Sequence, residues 1–316
     1  MLQHTRSANG SLRGMRPPQE SRVVAVTVTF NPDLRALEAL LRALSPQANE
    51  IIIIDNGSLN NSAILATVAR VGNCRCFGLG SNTGIANAIN RGIAEARKLD
   101  ASHIALFDQD SLPEPGMIVK LYAATTELSQ RGVKVAGVGA RFLDDRLGNP
   151  PPFIRVRNLR LYRHICQRGR IVPVDYLISS GCLISERTLS AVGVMNADLF
   201  IDYVDIEWGM RAKGEGYQSF GVCDAYMKHA LGSEPLVLLG CRFPVRSPLR
   251  HYYMFRNAVW LYRQSWVPLM WKLVDGYRLI ARYAVYSLFA KPRAQHLKMM
   301  SKGLWNGYRG KLGKYD

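Results

Sequence analysis

The chain has 316 residues, 48% of them hydrophobic and 21% charged, which is ordinary globular composition and excludes disordered, collagen-like and low-complexity classes. Its formal charge of +17 is unevenly placed: Arg242–Asp316 holds fifteen Lys/Arg against two acidic residues, so a nearly neutral body ends in a strongly basic segment suited to an anionic surface, nucleic acid or acidic lipid. Six cysteines without a CxxC pair exclude a disulfide scaffold and fit a reducing compartment.

Residues 1–21 are polar, with Arg6, Arg13, Arg16 and Pro17-Pro18 but no apolar stretch, and read as a loose tail and not a signal peptide. Val23–Phe30 is a β-branched strand that stops at Asn31-Pro32. Asp33 is positioned to cap a helix whose apolar face is Leu34, Leu37, Leu40, Leu41 and Leu44. Four consecutive isoleucines, Ile51–Ile54, are apolar on both faces, the mark of a central strand covered by helices on either side. A helix over about Ser62–Val71, a short strand near Cys74–Leu79, a helix over about Ile85–Leu99 and a buried strand at His103–Phe107 follow. Strands alternating with helices of this length predict an α/β fold, an open and mostly parallel sheet with helices on both faces. In such sheets ligands bind beyond the carboxyl ends of the strands. The turns there, Thr29–Asn31, Asp55–Ser58 and Asp108–Asp110, should therefore converge on one crevice.

Later segments are less regular. Val135–Ala140 reads as a strand, Pro150–Pro152 as a loop, Leu177–Ile184 as a strand with a polar centre and Val222–Met227 as a further strand. Cys182 and Cys223 sit in apolar stretches and read as core residues. No apolar run reaches the roughly 18 residues of a spanning helix, so the expectation is a cytoplasmic protein, soluble or attached to a membrane without crossing it.

Asp108-Gln109-Asp110 sends two hard oxygen donors from a strand end toward the expected crevice. They could share a divalent cation with substrate phosphates, as Mg²⁺ prefers, or merely form a turn before Pro113. Asp55-Asn56-Gly57-Ser58 is either a tight turn or a site where Asp55 accepts the imide N–H of a pyrimidine. Asn82-Thr83-Gly84 opens a helix, as a cap or as a contact to a nucleotide. Asp202 and Asp205 share a face if Phe200–Trp208 is helical, with Glu207 close by; acidic groups in so aromatic a stretch are costly unless paired, ligated or used. His229 follows a strand and is a candidate extra metal ligand. Across Trp266–Ala290 the charges Lys272, Asp275, Arg278 and Arg282 form one stripe among large apolar residues, which suits a helix lying in a membrane interface or one packed on the main domain. No helix-turn-helix, zinc-finger or RNA-recognition signature accompanies the positive charge, so nucleic acid is set aside.

Taken together, Phe107–Ser111, Leu177–Cys182, Leu199–Glu207 and Pro248–Tyr253 with Arg256-Asn257 resemble the family-two glycosyltransferases of GT-A fold, in particular their bacterial rhamnosyltransferase branch, over about residues 22–265. The resemblance implies a transferase domain over 22–240 and a helical, basic, membrane-associating region over 241–316. It implies that Thr29, Asp55 and Asn82 meet the nucleotide, that Asp108 and Asp110 hold Mg²⁺ or Mn²⁺ on the diphosphate with His229 as a further ligand, and that Arg256 binds phosphate. Asp205 matches the second acid of the family's Glu-Asp pair and would be the general base; Val204 replaces the first acid, which leaves Asp202 and Glu207 as competitors. The implied reaction is an inverting transfer of L-rhamnose from dTDP-L-rhamnose to a lipid-linked O-antigen or exopolysaccharide acceptor at the inner face of the cell membrane. A glycolipid acceptor, as in the addition of a second rhamnose to a rhamnolipid, is the alternative. A non-catalytic membrane-associated binding protein on the same fold is the alternative of another class.

Overall fold

The computed structural model describes residues 21–143, 153–229, 235–238 and 241–315, with the backbone alone for residues 229, 235, 238, 241 and 242. Residues 1–20 and the Pro150–Pro152 loop lie outside the described residues.

In chain order, strand β1 (Val23–Thr29) leads to helix α1 (Leu34–Leu44), β2 (Glu50–Asp55), α2 (Asn61–Val68), β3 (Cys74–Gly78), α3 (Ile85–Arg97), β4 (His103–Asp108), β5 (Ser111–Pro113) and α4 (Met117–Gln130). Next come β6 (Val135–Leu143), the hairpin β7 (Phe153–Arg157) and β8 (Arg160–His164), β9 (Ile171–Val174), β10 (Cys182–Ser185), α5 (Glu186–Val192), α6 (Val204–Gly214) and β11 (Gln218–His229). A small hairpin, β12 (Pro235–Leu238) with β13 (Cys241–Pro244), precedes three helices: α7 (Pro248–Tyr262), α8 (Leu269–Phe289) and α9 (Arg293–Arg309).

The main sheet runs in the order β3-β2-β1-β4-β10-β6-β11-β5. Its β3-β2-β1-β4 part is parallel, as the alternating pattern requires, while β10 is antiparallel to both neighbours. The isoleucine run explains itself in section: Ile51 and Ile53 pack under α1, α2 and α4, while Ile52 and Ile54 pack on the other side with α3 and α6. All four are fully buried, each side chain contributing about 1.5–3 kcal/mol. Asp33 caps α1 as expected, accepting the Ala36 N–H at 2.9 Å. A third cluster joins α6 to α7, α8 and α9 through Met210, Phe255, Trp271, Tyr286 and Met300. The C-terminal helices are thus packed on the body across a substantial apolar surface.

Three expectations change. Leu177–Ile184 is a strand only from Cys182, because Gly181 takes a left-handed φ of 77° and breaks the extended run. Phe200–Trp208 is not one helix: Phe200, Asp202 and Tyr203 all have φ near 62–64°, and α6 starts at Val204. Asp202 and Asp205 therefore do not share a helix face. In α8 the charge stripe and the apolar stripe both exist, but Trp271, Val274 and Val285 belong to the core, and the exposed apolar face is narrower than expected.

Candidate active site

Parallel pairing brings the ends of β1, β2 and β4 level, with Thr29 opposite Asp55 and Val28 opposite Asp108. A cleft of about 690 Å³ opens beyond them. Val28, Phe30, Asn56 and Asn82 line one end of it, Asp108, Gln109 and Asp110 its middle, and Asp202 and Asp205 follow. The polar strand-end turns do converge.

Local chemistry holds these turns together. Gln109 pairs with the Phe30 backbone, its Oε1 accepting the N–H at 2.8 Å and its Nε2 donating to the carbonyl at 3.4 Å. The Asp108 N–H donates to Ser180 Oγ at 3.0 Å, and Ser180 bonds Ser111 at 2.6 Å. The polar centre of Leu177–Ile184 thus braces the aspartate turn. Asn56 Oδ1 accepts from the Thr83 N–H at 2.9 Å and Asn82 Oδ1 from the Gly84 N–H at 3.0 Å. Gly84, at φ 90°, lets the start of α3 touch Phe200: a Cβ there would sit 2.7 Å from the Phe200 carbonyl oxygen, which accepts the Ile85 N–H at 2.8 Å.

Thr29 and Asp55 need a correction. Both are buried behind the cleft wall. The Thr29 hydroxyl donates to Asp55 Oδ1 at 3.1 Å, the Ser58 hydroxyl to the same oxygen, and the Ser58 N–H and Asn61 amide to Oδ2 at 3.1 and 2.9 Å. With both carboxylate oxygens so occupied, Asp55 holds the turn instead of offering an acceptor to a base, and the cleft surface falls to Phe30, Asn56 and Asn82.

Arg256 is the second correction. It is fully buried. Its guanidinium donates to the carbonyls of Gly313, Asp198 and Leu199 (the last two at 3.2 and 2.9 Å) and to Asn257 Oδ1 at 2.8 Å, with the Tyr252 and Tyr253 rings over it. Asn257 adds three bonds of its own, to the carbonyls of Leu199, Ile201 and Asp202 at 2.8–2.9 Å. The Arg-Asn pair therefore clamps the left-handed loop ahead of α6 and does not face a phosphate.

Among the three candidate bases, Glu207 points away: it is 2% exposed and its carboxylate pairs with Arg211 at 2.8 Å. Asp202 receives both arms of the Arg250 guanidinium at 2.7 Å. Asp205 stands at the mouth of α6, accepts the Ile206 N–H at 2.9 Å and lines the cleft. Burial pushes its carboxyl up to about 6; backbone N–H bonds oppose the shift, and the negative charges of Asp108 and Asp202 add to it. Such a group is mostly ionised at pH 7 yet more basic than an ordinary carboxylate, the condition for efficient proton abstraction.

Asp108 and Asp110 fit a hard divalent cation by donor chemistry, since both are carboxylates on one turn of the cleft. Among the described residues no three His, Cys, Asp or Glu side chains converge as a cation cage, so such an ion would take much of its shell from a substrate's oxygens and water. His229 lies opposite Ser111 in the β11–β5 ladder, beside this turn; its side chain is outside the described residues. Arg246, Arg250 and Arg282 line the cleft without having been assigned a site role from sequence. Arg282 belongs to the α8 charge stripe, and only the orientation of that helix reveals that it turns inward.

Residues 25–193 match Glycosyl transferase family 2. The dTDP-rhamnosyl transferase RfbF of Shigella flexneri is 31% identical over 93% of this chain and 97% of its own length. The N-acetylglucosaminyl-diphospho-decaprenol L-rhamnosyltransferase of Mycobacterium tuberculosis is 25% identical over 88% of this chain and 97% of its own. The structure of GalNAc-T7 with UDP, GalNAc and Mn²⁺ superposes with a TM-score of 0.57 at 12% identity, covering 92% of this chain and 56% of that one, a likeness of GT-A fold. With its strand-end cleft and its Asp108-Gln109-Asp110 turn, the chain belongs to glycosyl transferase family 2.

Proposed function

We propose that the protein moves L-rhamnose from dTDP-L-rhamnose to a lipid-linked O-antigen or exopolysaccharide acceptor, inverting the anomeric carbon. Asp205 carries the chemical part of this reading: a cleft carboxyl that burial raises to about 6, while Asp202 is paired with Arg250 and Glu207 with Arg211. The donor sugar and the lipid-linked acceptor are supported by the activities for which the two relatives are named.

The nucleotide would lie at the end formed by Phe30, Asn56 and Asn82. Asp108 and Asp110, with His229 as a further candidate, would hold Mg²⁺ or Mn²⁺, and such an ion neutralises charge on a departing diphosphate. Asp205 removes the proton from the acceptor hydroxyl as its oxygen attacks the anomeric carbon from the face opposite the diphosphate. A single displacement inverts that centre, by the geometric logic of inverting glycosidases.

The membrane enters through α8. Leu273, Tyr277, Ile280 and Leu288 recur at spacings of three, four and eight, and all are exposed, Ile280 by 73%. They form one apolar face beside the exposed cations Lys291, Arg293, Lys298 and Lys302, the pattern of a helix resting in an anionic lipid interface. Among the described residues no helix is long and apolar enough to cross a membrane. Incubation with dTDP-L-rhamnose, Mg²⁺ and candidate lipid-linked acceptors, followed by product analysis, tests the assignment. Glycosylated lipid with inverted stereochemistry is expected from wild type, falling about 10³-fold in Asp110→Ala; turnover with another nucleotide sugar alone would refute it.

A further inference from the structure

The far end of the cleft holds cations that donor binding does not use. Arg246, just before α7, and Arg282, on α8, both line it beside Tyr286. Arg278 sits one turn from Arg282 on the same side of α8. Arg163 of β8 is near it: burial first, and then the positive charge of Arg278, hold its guanidinium below the usual range, against an opposing influence of Tyr176. Facing these cations is Asp275, whose Oδ1 lies 3.9 Å from Arg282 and whose Oδ2 accepts the Tyr203 and Tyr262 hydroxyls at 2.7 Å each. Arg246 and Arg282 thus line this stretch of the cleft with Asp275 beside Arg282, and among the described residues neither Arg246 nor Arg278 has an acidic partner at ion-pair distance. Guanidinium forks there match the oxygens of a phosphate.

Helix α8 relates this end of the cleft to the outer surface. Asp275, Arg282 and Tyr286 occupy its inner face, and Leu273, Tyr277, Ile280 and Leu288 the opposite, exposed one. A helix with its side chains is about 10–12 Å thick, so Arg282 lies about one helix thickness from the apolar surface. Tyr176 connects them to the candidate base. Its buried phenol is pushed well above its ordinary range by burial, then by Asp275 and Asp205, against Arg282 and Arg278. Tyr176, Asp205 and Arg282 thus share one cleft, with Asp108 close enough to Asp205 to raise its carboxyl.

We propose that Arg246 and Arg282 form a phosphate-binding subsite that grips the phosphate or diphosphate joining an acceptor's sugar to its lipid, so that the sugar hydroxyl is directed toward Asp205. This rests on the proposed lipid-linked acceptor and assigns the chemistry that recognises it. The subsite is separate from the donor's diphosphate, which belongs at the aspartate turn.

The test titrates the full-length protein, with thymidine diphosphate and Mg²⁺ saturating the donor site, using geranyl diphosphate, inorganic pyrophosphate and geraniol. Geranyl diphosphate should bind more tightly than pyrophosphate, and geraniol not measurably. Arg246→Ala and Arg282→Gln should each weaken diphosphate binding about tenfold, the loss of one charge-assisted pair. Arg246 is exposed, so Arg246→Ala keeps the test valid if Arg282→Gln lowers the melting temperature. No binding by wild type, full competition by thymidine diphosphate, or unchanged affinity in Arg246→Ala would overturn the subsite. Equal affinity for pyrophosphate and geranyl diphosphate would overturn its assignment to a lipid. Vesicle cosedimentation separates the two readings. A wild type that ignores vesicles but shows arginine-dependent geranyl diphosphate binding would remove the membrane surface and keep the subsite; vesicle binding without that dependence would do the reverse.

Discussion

The two ends of the cleft are built by different means. The donor end is made of strand termini: β1, β2 and β4 run parallel, so their polar turns meet because the sheet is what it is. The other end is made of helices, and Arg250, Arg282 and Tyr286 arrive there only because α7 and α8 pack on α6 in one rotation. The strand-built part carries the carboxylates of Asp108 and Asp110, and the helix-built part carries the guanidinium groups of Arg250 and Arg282 beside Asp275. A site at strand ends follows from topology, whereas a site on packed helices depends on which stripe of each helix turns inward.

The largest effect expected at the helical end is structural. Arg256→Ala removes a buried cation from several carbonyl bonds and two aromatic rings, and should cost about 3 kcal/mol in chemical denaturation. Affinity of the folded fraction for dTDP should stay unchanged; normal stability with lost nucleotide affinity would return Arg256 to a phosphate role.

The outer face of α8 gives the next effect. Leu273→Asp and Ile280→Asp should each weaken binding to anionic vesicles about tenfold, from lost apolar transfer. Stability should move by under about 0.5 kcal/mol because both side chains are exposed. Unchanged cosedimentation would show that this face does not meet lipid.

A smaller effect comes from two buried histidines that join the helices. His251 of α7 and His296 of α9 bond through their Nδ1 atoms at 2.9 Å, and the His251 ring stacks on Tyr286. Burial, then the neighbouring His296, Arg246 and Arg250, push His251 down to about 4, with Asp202 opposing. A histidine neutral in the fold but protonated in the unfolded chain stabilises fully above about pH 6.5, and that stability is lost as pH falls toward 4. The loss should be about 2 kcal/mol by pH 5. Asp205 works in the opposite direction, since its raised carboxyl takes up a proton in the fold first. The difference between wild type and His251→Gln across pH 5–7 therefore isolates the histidine, and identical slopes would contradict its burial as a neutral ring.

The same contrast explains what the sequence made legible. Ile51–Ile54, bounded by charged and turn-forming residues, could only be a strand covered on both faces, and Asp108 at the end of another such strand had to reach the cleft. Asp55 looked equally exposed, but Ser58 and Asn61, three and six residues on, take its oxygens together with Thr29, a partner 26 residues away that no local pattern reveals. Arg256 sits in α7, where His251, Tyr252, Phe255 and Asn257 are also buried. A helix enclosed on most sides carries no solvent stripe from which the inward position of an arginine could be read. Periodicity found both stripes of α8 and could not tell which one faced Asp205.

The pH dependence of rhamnosyl transfer from dTDP-L-rhamnose, for wild type and Asp205→Asn, tests the role of Asp205 most directly. Wild-type kcat/KM should fall tenfold per unit below about pH 6, where the carboxylate becomes protonated, while Asp205→Asn loses about 10²–10⁴ in rate and binds dTDP-L-rhamnose as before. Transfer retained by Asp205→Asn with the same acidic limb would contradict the account and assign the proton to another group.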